Sequence, residues 1–432
     1  MKPSKIHNLF AMGDQLVVSG SRFLLAVIIA RVLGENALGV YSLVISIVYL
    51  AITTQQSLIS TPFANFRLRP STADEKNYLQ ETWLFAAALA VFVGLAMAGA
   101  GTILVSLSTS NGVLDLGLAF LWASLAAPFM LMVEFARRAW LIRMQGWRAF
   151  VVDSVANCIA VALIAALVVS GRLTVATVFA ILAATYLPAA VVCSKLLLPH
   201  LKFSRASLGK TAKKHWELGK FIFFSEGLNY GRSNLVLWII GAFLGIGTTG
   251  LYAACHSLMR VINPFFLGVA SVAEPKIAAG FATRGKPEAR RIAIRVLFVI
   301  LTGTLPICIA VSLSSHYLLN RIYGPEFAEY SEVVMWLAAS IFLASVSYPF
   351  SNALQAIDRP DVNFRIRAFV FLIAICGVMV AVPFRGLVGV AQVQFLCAAI
   401  AFAIRLYFFN KLTSSCDTAE DCSPARRRSE QT

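Results

Sequence analysis

Charge is scarce in this chain. Of its 432 residues only 13% are Asp, Glu, Lys or Arg, while 59% are hydrophobic. Soluble domains carry about 25% charged and about 45–50% apolar residues. With a mean hydropathy of +0.76, the chain is excluded as a soluble enzyme, a disordered protein or a secreted disulfide scaffold. A polytopic membrane protein remains. Several motifs are also missing. No CxxC or Cys/His ligand spacing occurs among the eight cysteines, and six of them, from Cys158 to Cys397, sit in apolar runs as small packing residues. His256 and His316 lack the partners of a metal or catalytic site, so no metal and no cofactor are expected. No GxxxxGK[ST] loop is present, which argues against ATP-driven transport by this chain. The first apolar run ends in Arg31-Val-Leu-Gly rather than a small-residue cleavage site, so no cleavable signal is expected.

What is present is a series of twelve apolar runs, near 10–30, 38–60, 82–107, 116–135, 150–170, 175–194, 221–243, 251–273, 293–314, 333–354, 367–384 and 387–409. Each has about the 20 residues that a helix needs to cross the hydrocarbon core. Barrel strands would be shorter and strictly alternating. Acids are few: 21 against 37 basic residues, a net charge of +16. In a soluble chain this would suggest nucleic acid, but placement gives another reason. With the N-terminus inside, 30 of the 37 Lys and Arg fall on the inner side and four on the outer, namely Arg31, Arg172, Arg321 and Arg385. Such a bias predicts both termini in the cytoplasm and accounts for the charge without nucleic acid. The basic segment around 195–220 could touch anionic lipid head groups.

The chain repeats itself at an offset of 211. Gly20 meets Gly231, Leu24 meets Leu235, and Ile28-Ile29 meets Ile239-Ile240. Leu33-Gly34 then meets Leu244-Gly245, Gly39 meets Gly250 and Tyr41 meets Tyr252. Apolar composition alone does not readily align three glycines and a tyrosine. A unit of six spans is even, so both copies share one orientation in the membrane. The expected fold is therefore an all-α polytopic membrane protein with twelve transmembrane helices, in two six-helix repeats of the same orientation around a central cavity. The lobes would be 1–200 and 221–412, joined by a basic cytoplasmic linker at 201–220. A polar tail at 413–432, expected to be disordered, would follow.

The run GDQLVVSGSRFLLAVIIARVLGENALGVYSL resembles the opening of bacterial polysaccharide or O-antigen flippases. Arg232, Gly245, Gly250-Leu-Tyr252 and Pro275 resemble their seventh and eighth spans. These proteins form the polysaccharide branch of the multidrug/oligosaccharidyl-lipid/polysaccharide exporter superfamily. The resemblance implies translocation of undecaprenyl-diphosphate-linked oligosaccharide across the bacterial inner membrane, for O-antigen, capsule, lipopolysaccharide or exopolysaccharide synthesis. It also implies a cavity lined by the first, second, seventh and eighth spans. A polysaccharide polymerase and chain-length proteins would be candidate partners, beside membrane lipids. Many members carry Asp where this chain has Asn234. The competing reading is a cation-coupled exporter of small amphipathic compounds with the same fold. A membrane glycosyltransferase is disfavoured, because no large loop bearing catalytic acids exists.

Ionisable groups at membrane depth are costly and face a wet interior or a partner. Arg22, Arg232 and Arg260 lie near mid-depth on the first, seventh and eighth spans. Planar guanidinium forks suit the phosphate oxygens of a diphosphate. Residues three and four apart share a helix face, and span two carries Ser42, Ser46, Tyr49, Thr53, Gln56 and Ser60 in one stripe. Gln15, Ser19 and Arg22 share a face of span one, and His256, Arg260 and Asn263 share one of span eight. Asn229 joins them from span seven as a substrate-facing candidate. The alternative for such stripes is polar glue between helices. Asp14 and Glu226 are the candidates for binding a coupling proton or Na⁺. Glu134, Asp153 and Glu274, nearer the inner interface, are expected to be solvated or paired with Arg137, Arg138 or Lys276.

Overall fold

A computed structural model describes residues 3–67, 75–108, 110–198, 205–357 and 359–414. Among the described residues there are helices and no strands. The expected tail, apart from 413–414, and linker residues 201–204 lie outside them. Each of the twelve apolar runs falls on helix. Among the described residues, eight helices are long and apolar enough to cross a membrane. Three of these continue through a glycine with positive φ, at Gly34, Gly285 and Gly386, where one helix ends and the next begins.

In chain order, α1 (Pro3–Gln55) covers the first two runs and leads through a π-helical turn (Gln56–Ser60) into α2 (Thr61–Arg67). Next come α3 (Glu75–Ser106), α4 (Asn111–Ile142), α5 (Gly146–Val169) and α6 (Val175–Leu197). After α7 (Arg205–Leu244) and α8 (Ile246–Leu258), a 3-10 turn (Met259–Ile262) opens into α9 (Asn263–Leu313). The short α10 (Ser315–Ile322) and α11 (Pro325–Ala328) precede α12 (Ser331–Ala356) and α13 (Pro360–Ser414). Local chemistry sets several ends. Thr174 and Thr177 exchange side-chain and backbone hydrogen bonds in a capping box that starts α6, satisfying amides that have no partner within the helix.

The chain divides into two compact units, residues 1–253 and 254–432. The division falls inside α8, and α7 packs with the first unit, against α1, the π-helical turn, α2 and α3. Residues 205–220 of the basic segment are the first turns of α7 rather than a loop. Leu208, Thr211, His215 and Gly219 form their inward face, at helical spacing. In the first unit α4 is central: Ala119, Ala123, Ala126, Ala127 and Leu131 are buried in it. Small residues permit close approach there, as expected in a membrane interior. A Cβ on Gly94 would lie 2.8 Å from Pro128, and one on Gly101 3.0 Å from the Gly117 carbonyl.

The second unit has two adjoining cores. One gathers Leu354, Val362, Ile366, Val370, Ala374 and Cys397. The other gathers Ile277, Ala289, Ala293, Phe350, Ala353 and Phe409. At its other end, α10 and α11 are tied down by a hydrogen bond between the Ser257 and Tyr323 hydroxyls and by His316 Nδ1 on the Ala328 carbonyl at 3.1 Å.

Candidate functional site

The polar heart of the first unit is built by α1, α4 and α5. Asp14, Glu134 and Asp153 are buried around Arg137, whose side chain is only 11% exposed. Arg137 Nη1 lies 3.3 Å from Asp14 Oδ2, Nη2 lies 2.6 Å from Glu134 Oε2, and Nε lies 3.7 Å from Asp153 Oδ2. Glu134 also accepts from Arg138 Nε at 3.1 Å and from Gln56 Nε2 at 3.2 Å. The i,i+3 and i,i+4 spacing along α4 explains both arginine pairs of Glu134. Asp14 and Asp153 are neighbours. Oδ1 of Asp14 and Oδ2 of Asp153 are buried with no hydrogen-bond partner among the described residues. Pairing offsets part of the desolvation cost of these charges and fixes their arrangement; it is weak ground for claiming net stability.

Arg22 stands beside this network, half-buried on α1. Its guanidinium lies 5.0 Å from the centre of the Tyr49 ring, a cation–π contact. Among the described residues no carboxylate is within ion-pairing distance of it. Arg22 lines two small voids. One, of about 30 Å³, is walled by Ser21, Tyr49, Asn157 and Tyr186. The other, of about 10 Å³, is walled by Glu134, Arg137, Asp153 and Tyr186. The larger void has room for water, for which about 10–15 Å³ is the minimum. Ser21 Oγ donates to Asn157 Oδ1 at 2.8 Å, and Asn157 Nδ2 donates to the Asp153 carbonyl at 2.8 Å, so α1 and α5 hold the wall of the void together.

The polar stripe of span two is shared between this site and a helix joint. Tyr49 and Gln56 reach Arg22 and Glu134. Ser46 is buried against α7: its Oγ accepts from Trp238 Nε1 at 3.0 Å, and its carbonyl accepts from the Tyr230 hydroxyl. Thr53 Oγ1 returns to the Tyr49 carbonyl at 2.9 Å. Ser42 and Ser60 are buried. On α1, Gln15 and Ser19 are exposed and hydrogen-bonded to each other at 3.3 Å. On α7, Glu226 and Arg232 are half-buried and engaged with other groups, and Asn229 is exposed. In the second unit His256 is half-buried on α8, and Arg260 is exposed in the 3-10 turn, in electrostatic reach of Tyr323. Asn263 opens α9, and its side chain lies outside the described residues.

Glu134 pairs with Arg137 and Arg138, and Asp153 with Arg137, as the sequence leads one to expect, and Asp14, a candidate for the coupling ion, joins the same arginine. Sequence spacing gave the Glu134 pairs; the convergence of Asp14 and Asp153 on Arg137 is tertiary, and no local signal announces it.

Taken over 95% of this chain and 96% of the other, the fold matches an inward-facing multidrug resistance MATE family transporter of the MOP superfamily, with a TM-score of 0.75 at 12% identity. Lipid II flippase MurJ, in an inward closed conformation, matches with a TM-score of 0.74 at 12% identity, over 94% of this chain and 90% of MurJ. The chain thus has the all-helical multi-pass fold of these transporters. Residues 28–332, well over half of the chain, match the family described as "Polysaccharide biosynthesis protein". The chain belongs to that family. A probable low-salt glycan biosynthesis flippase, Agl15 of Haloferax volcanii, is 24% identical over 206 residues, 48% of this chain and 43% of that protein. The match therefore spans under half the length of that relative.

Proposed function

We propose that this protein is a flippase that carries a lipid-linked oligosaccharide across the bacterial inner membrane by alternating access. Its cargo would be anchored through an undecaprenyl diphosphate. Surface polysaccharide synthesis is the process it would serve, beside a polymerase and chain-length proteins. Both termini would lie in the cytoplasm. Membership of the polysaccharide biosynthesis family and the fold shared with MurJ support the reading. The observation that carries it is Arg22: a half-buried guanidinium beside a water-sized void, braced by the Tyr49 ring and, among the described residues, with no carboxylate in ion-pairing distance, although Glu134 acts on it from across the smaller void. In this reading Arg22, Arg232 and Arg260 bind the diphosphate. Gln15, Ser19, Ser46, Tyr49, Thr53, Gln56, Asn229, His256 and Asn263 serve the polar part of the cargo, and Asp14 or Glu226 couples movement to a proton or Na⁺.

The fold alone does not separate this from an exporter of small amphipathic compounds, since the MATE and MurJ likenesses differ by only 0.75 to 0.74 in TM-score. A guanidinium that lines a void and holds no ion pair among the described residues favours anionic cargo over cationic drugs. The test is surface-polysaccharide complementation and lipid-diphosphate binding by Arg22→Ala and Arg22→Lys, at matched expression. Ala should lose charge-assisted hydrogen bonds typically worth about 1.5–3 kcal/mol each, and Lys should recover only part, because it lacks the planar fork. Full export and binding by Arg22→Ala would refute this role, and resistance to cationic drugs without any effect on polysaccharide would favour the exporter.

A further inference from the structure

The basic start of α7 is docked against α3 and the π-helical turn through a buried histidine. His215 is buried there between α3 and the π-helical turn. Its Nδ1 lies 3.1 Å from the Leu58 carbonyl and its Nε2 lies 2.7 Å from the Tyr78 hydroxyl. A carbonyl only accepts, so Nδ1 carries the hydrogen and the Tyr78 hydroxyl donates to Nε2. Rings of Tyr78 and Phe85 meet the imidazole edge to face. One turn on, Gly219 closes against the π-helical turn: a Cβ there would lie 2.9 Å from the Ser57 carbonyl. The helix is thus held at a fixed rotation, and what it turns outward is determined.

Beside His215 opens an apolar pocket of about 220 Å³, lined by Leu58, Ile59, Phe85, Leu89, Ala212 and Trp216. Trp216 is 53% exposed at its rim. Lys213 stands three residues before Trp216 and Lys220 four after, so both share its face. Lys210 and Lys214 extend the positive charge along the next face, and all three of Lys210, Lys213 and Lys214 are exposed. The nearest opposing charge is Glu217, 3.9 Å from Lys213 Nζ, in a pair open to solvent and so weak. Beyond Lys220, whose ammonium lies 5.0 Å from the Phe221 ring, Phe221 and Phe224 are exposed at 69% and 58%. A tryptophan and lysines above, with bare aromatics below, is the arrangement of a helix passing from aqueous interface into hydrocarbon.

We propose that this pocket binds one anionic phospholipid, with an acyl chain lying against Leu58, Phe85 and Leu89 and the phosphate on Lys213 and Lys220. The pocket is smaller than the 300–1,000 Å³ of a drug-sized site and open at one side, which suits a segment of chain rather than a whole molecule. The lysines select charge, because each adds attraction to anionic lipid at an interface. The site is separate from the proposed cargo site: it lies at the C-terminal end of span two, beyond the mid-span Arg22–Tyr49 contact, and it uses none of the residues assigned to the diphosphate.

The experiment is native mass spectrometry of the full chain in detergent, titrated with phosphatidylglycerol or phosphatidylcholine of the same acyl chains. Phosphatidylglycerol should be retained as a single tight adduct and phosphatidylcholine not. Lys213→Gln with Lys220→Gln should weaken that adduct roughly thirtyfold. Ala212→Phe, which fills the pocket, should abolish it. Lys213→Gln alone, at an exposed position, is the control for folding, and all variants are compared at unchanged thermal midpoint. Equal retention of the two lipids by the wild-type chain, or an unaltered adduct in the lysine variant, would overturn the proposal. Displacement of the adduct by an equimolar prenyl phosphate would overturn it also, by making the pocket a cargo site.

Discussion

Gly39 and Gly250 face each other across a helix crossing in which neither has room for a side chain. A Cβ on Gly39 would lie 1.9 Å from the Ile246 carbonyl oxygen, and one on Gly250 would lie 2.0 Å from the Glu35 carbonyl oxygen. At the offset of 211, residue 35 corresponds to 246 and residue 39 to 250. The crossing is therefore reciprocal, as at a two-fold interface between identical subunits. Gly34 and Gly245, which precede the two helices, both have positive φ, 81° and 95°, a region that glycine enters without steric cost. Equivalent glycines in equivalent roles support the internal repeat.

Gly39→Ala and Gly250→Ala should each destabilise the protein by about 1–3 kcal/mol or more, the range for overpacking, because the obstacle is backbone and cannot rotate away. Gly20→Ala is the contrast. Nothing lies within 4 Å of its added Cβ and its φ is ordinary, so it should be neutral or gain about 0.5–1 kcal/mol in helix stability. Thermal midpoints of the three purified variants in one detergent decide it; equal behaviour of Gly20 and Gly39 variants would contradict the reciprocal crossing.

Much of this was legible before the structure, and for a physical reason. Long apolar runs fix the spanning helices, because lipid offers the backbone no other hydrogen-bond partner. Glycines in register marked the repeat, and the structure adds that Gly39 and Gly250 cross each other. Helical spacing likewise put Ser46, Tyr49, Thr53 and Gln56 on one face, but spacing does not say what a face meets. Tyr49 and Gln56 meet charged groups, while Ser46 meets Trp238 and Tyr230 of α7. The start of α7 was hidden because its inward face is Thr211, His215 and Gly219, too polar and too small to register as an apolar run. The ionic network was hidden because Asp14, Arg137 and Asp153 come from three helices.

Arg137 should be the least replaceable member of that network. Arg137→Ala would leave Asp14, Glu134 and Asp153 buried without their shared cation, and breaking a buried pair costs about 3–5 kcal/mol. Arg138→Ala removes only the 41% exposed partner of Glu134 and should cost under about 1 kcal/mol. Membrane-inserted yield and thermal midpoint would separate the two; comparable losses would show that Arg137 is not the centre.

His215 predicts a pH-dependent docking of α7. Burial holds the pKa of its imidazole below the ordinary value of 6.5, and burial outweighs the opposing effects of the Leu58 carbonyl and Glu81. The groups facing it are Tyr78, Phe85, Glu81 and Leu58. When α7 undocks, the freed histidine recovers its ordinary value and binds a proton that the docked one does not. Docking is therefore at full strength above about pH 6.5 and weakens as pH falls through the lowered value. Hydrogen exchange of residues 208–219 should rise on acidification in the wild-type protein and lose that dependence in His215→Gln. An identical pH response in the variant would place the titration elsewhere.

Coupling to a cation would run through the paired carboxyls of Asp14 and Asp153 or through Glu226. Asp14 gives one carboxylate oxygen to Arg137 at 3.3 Å and keeps the other buried and unbonded. Asp153 beside it also has a buried oxygen without a hydrogen bond. A proton shared between the two carboxyls would supply the missing hydrogen bond and would leave Arg137 on Glu134. Two neighbouring carboxylates readily hold one proton between them, and release of that proton would change the charge beside Arg22 by one unit. Asp14→Asn and Asp153→Asn keep shape but remove titration, and Glu226→Gln does the same for the acid on α7. If the first unit couples, Asp14→Asn should flip cargo with a flattened pH profile while Glu226→Gln keeps the wild-type profile; the reverse pattern would move coupling to α7. Transport by all three well-inserted variants with unchanged pH and Na⁺ dependence would remove both acids from the coupling step and leave Asp14 and Asp153 as structural counter-ions of Arg137.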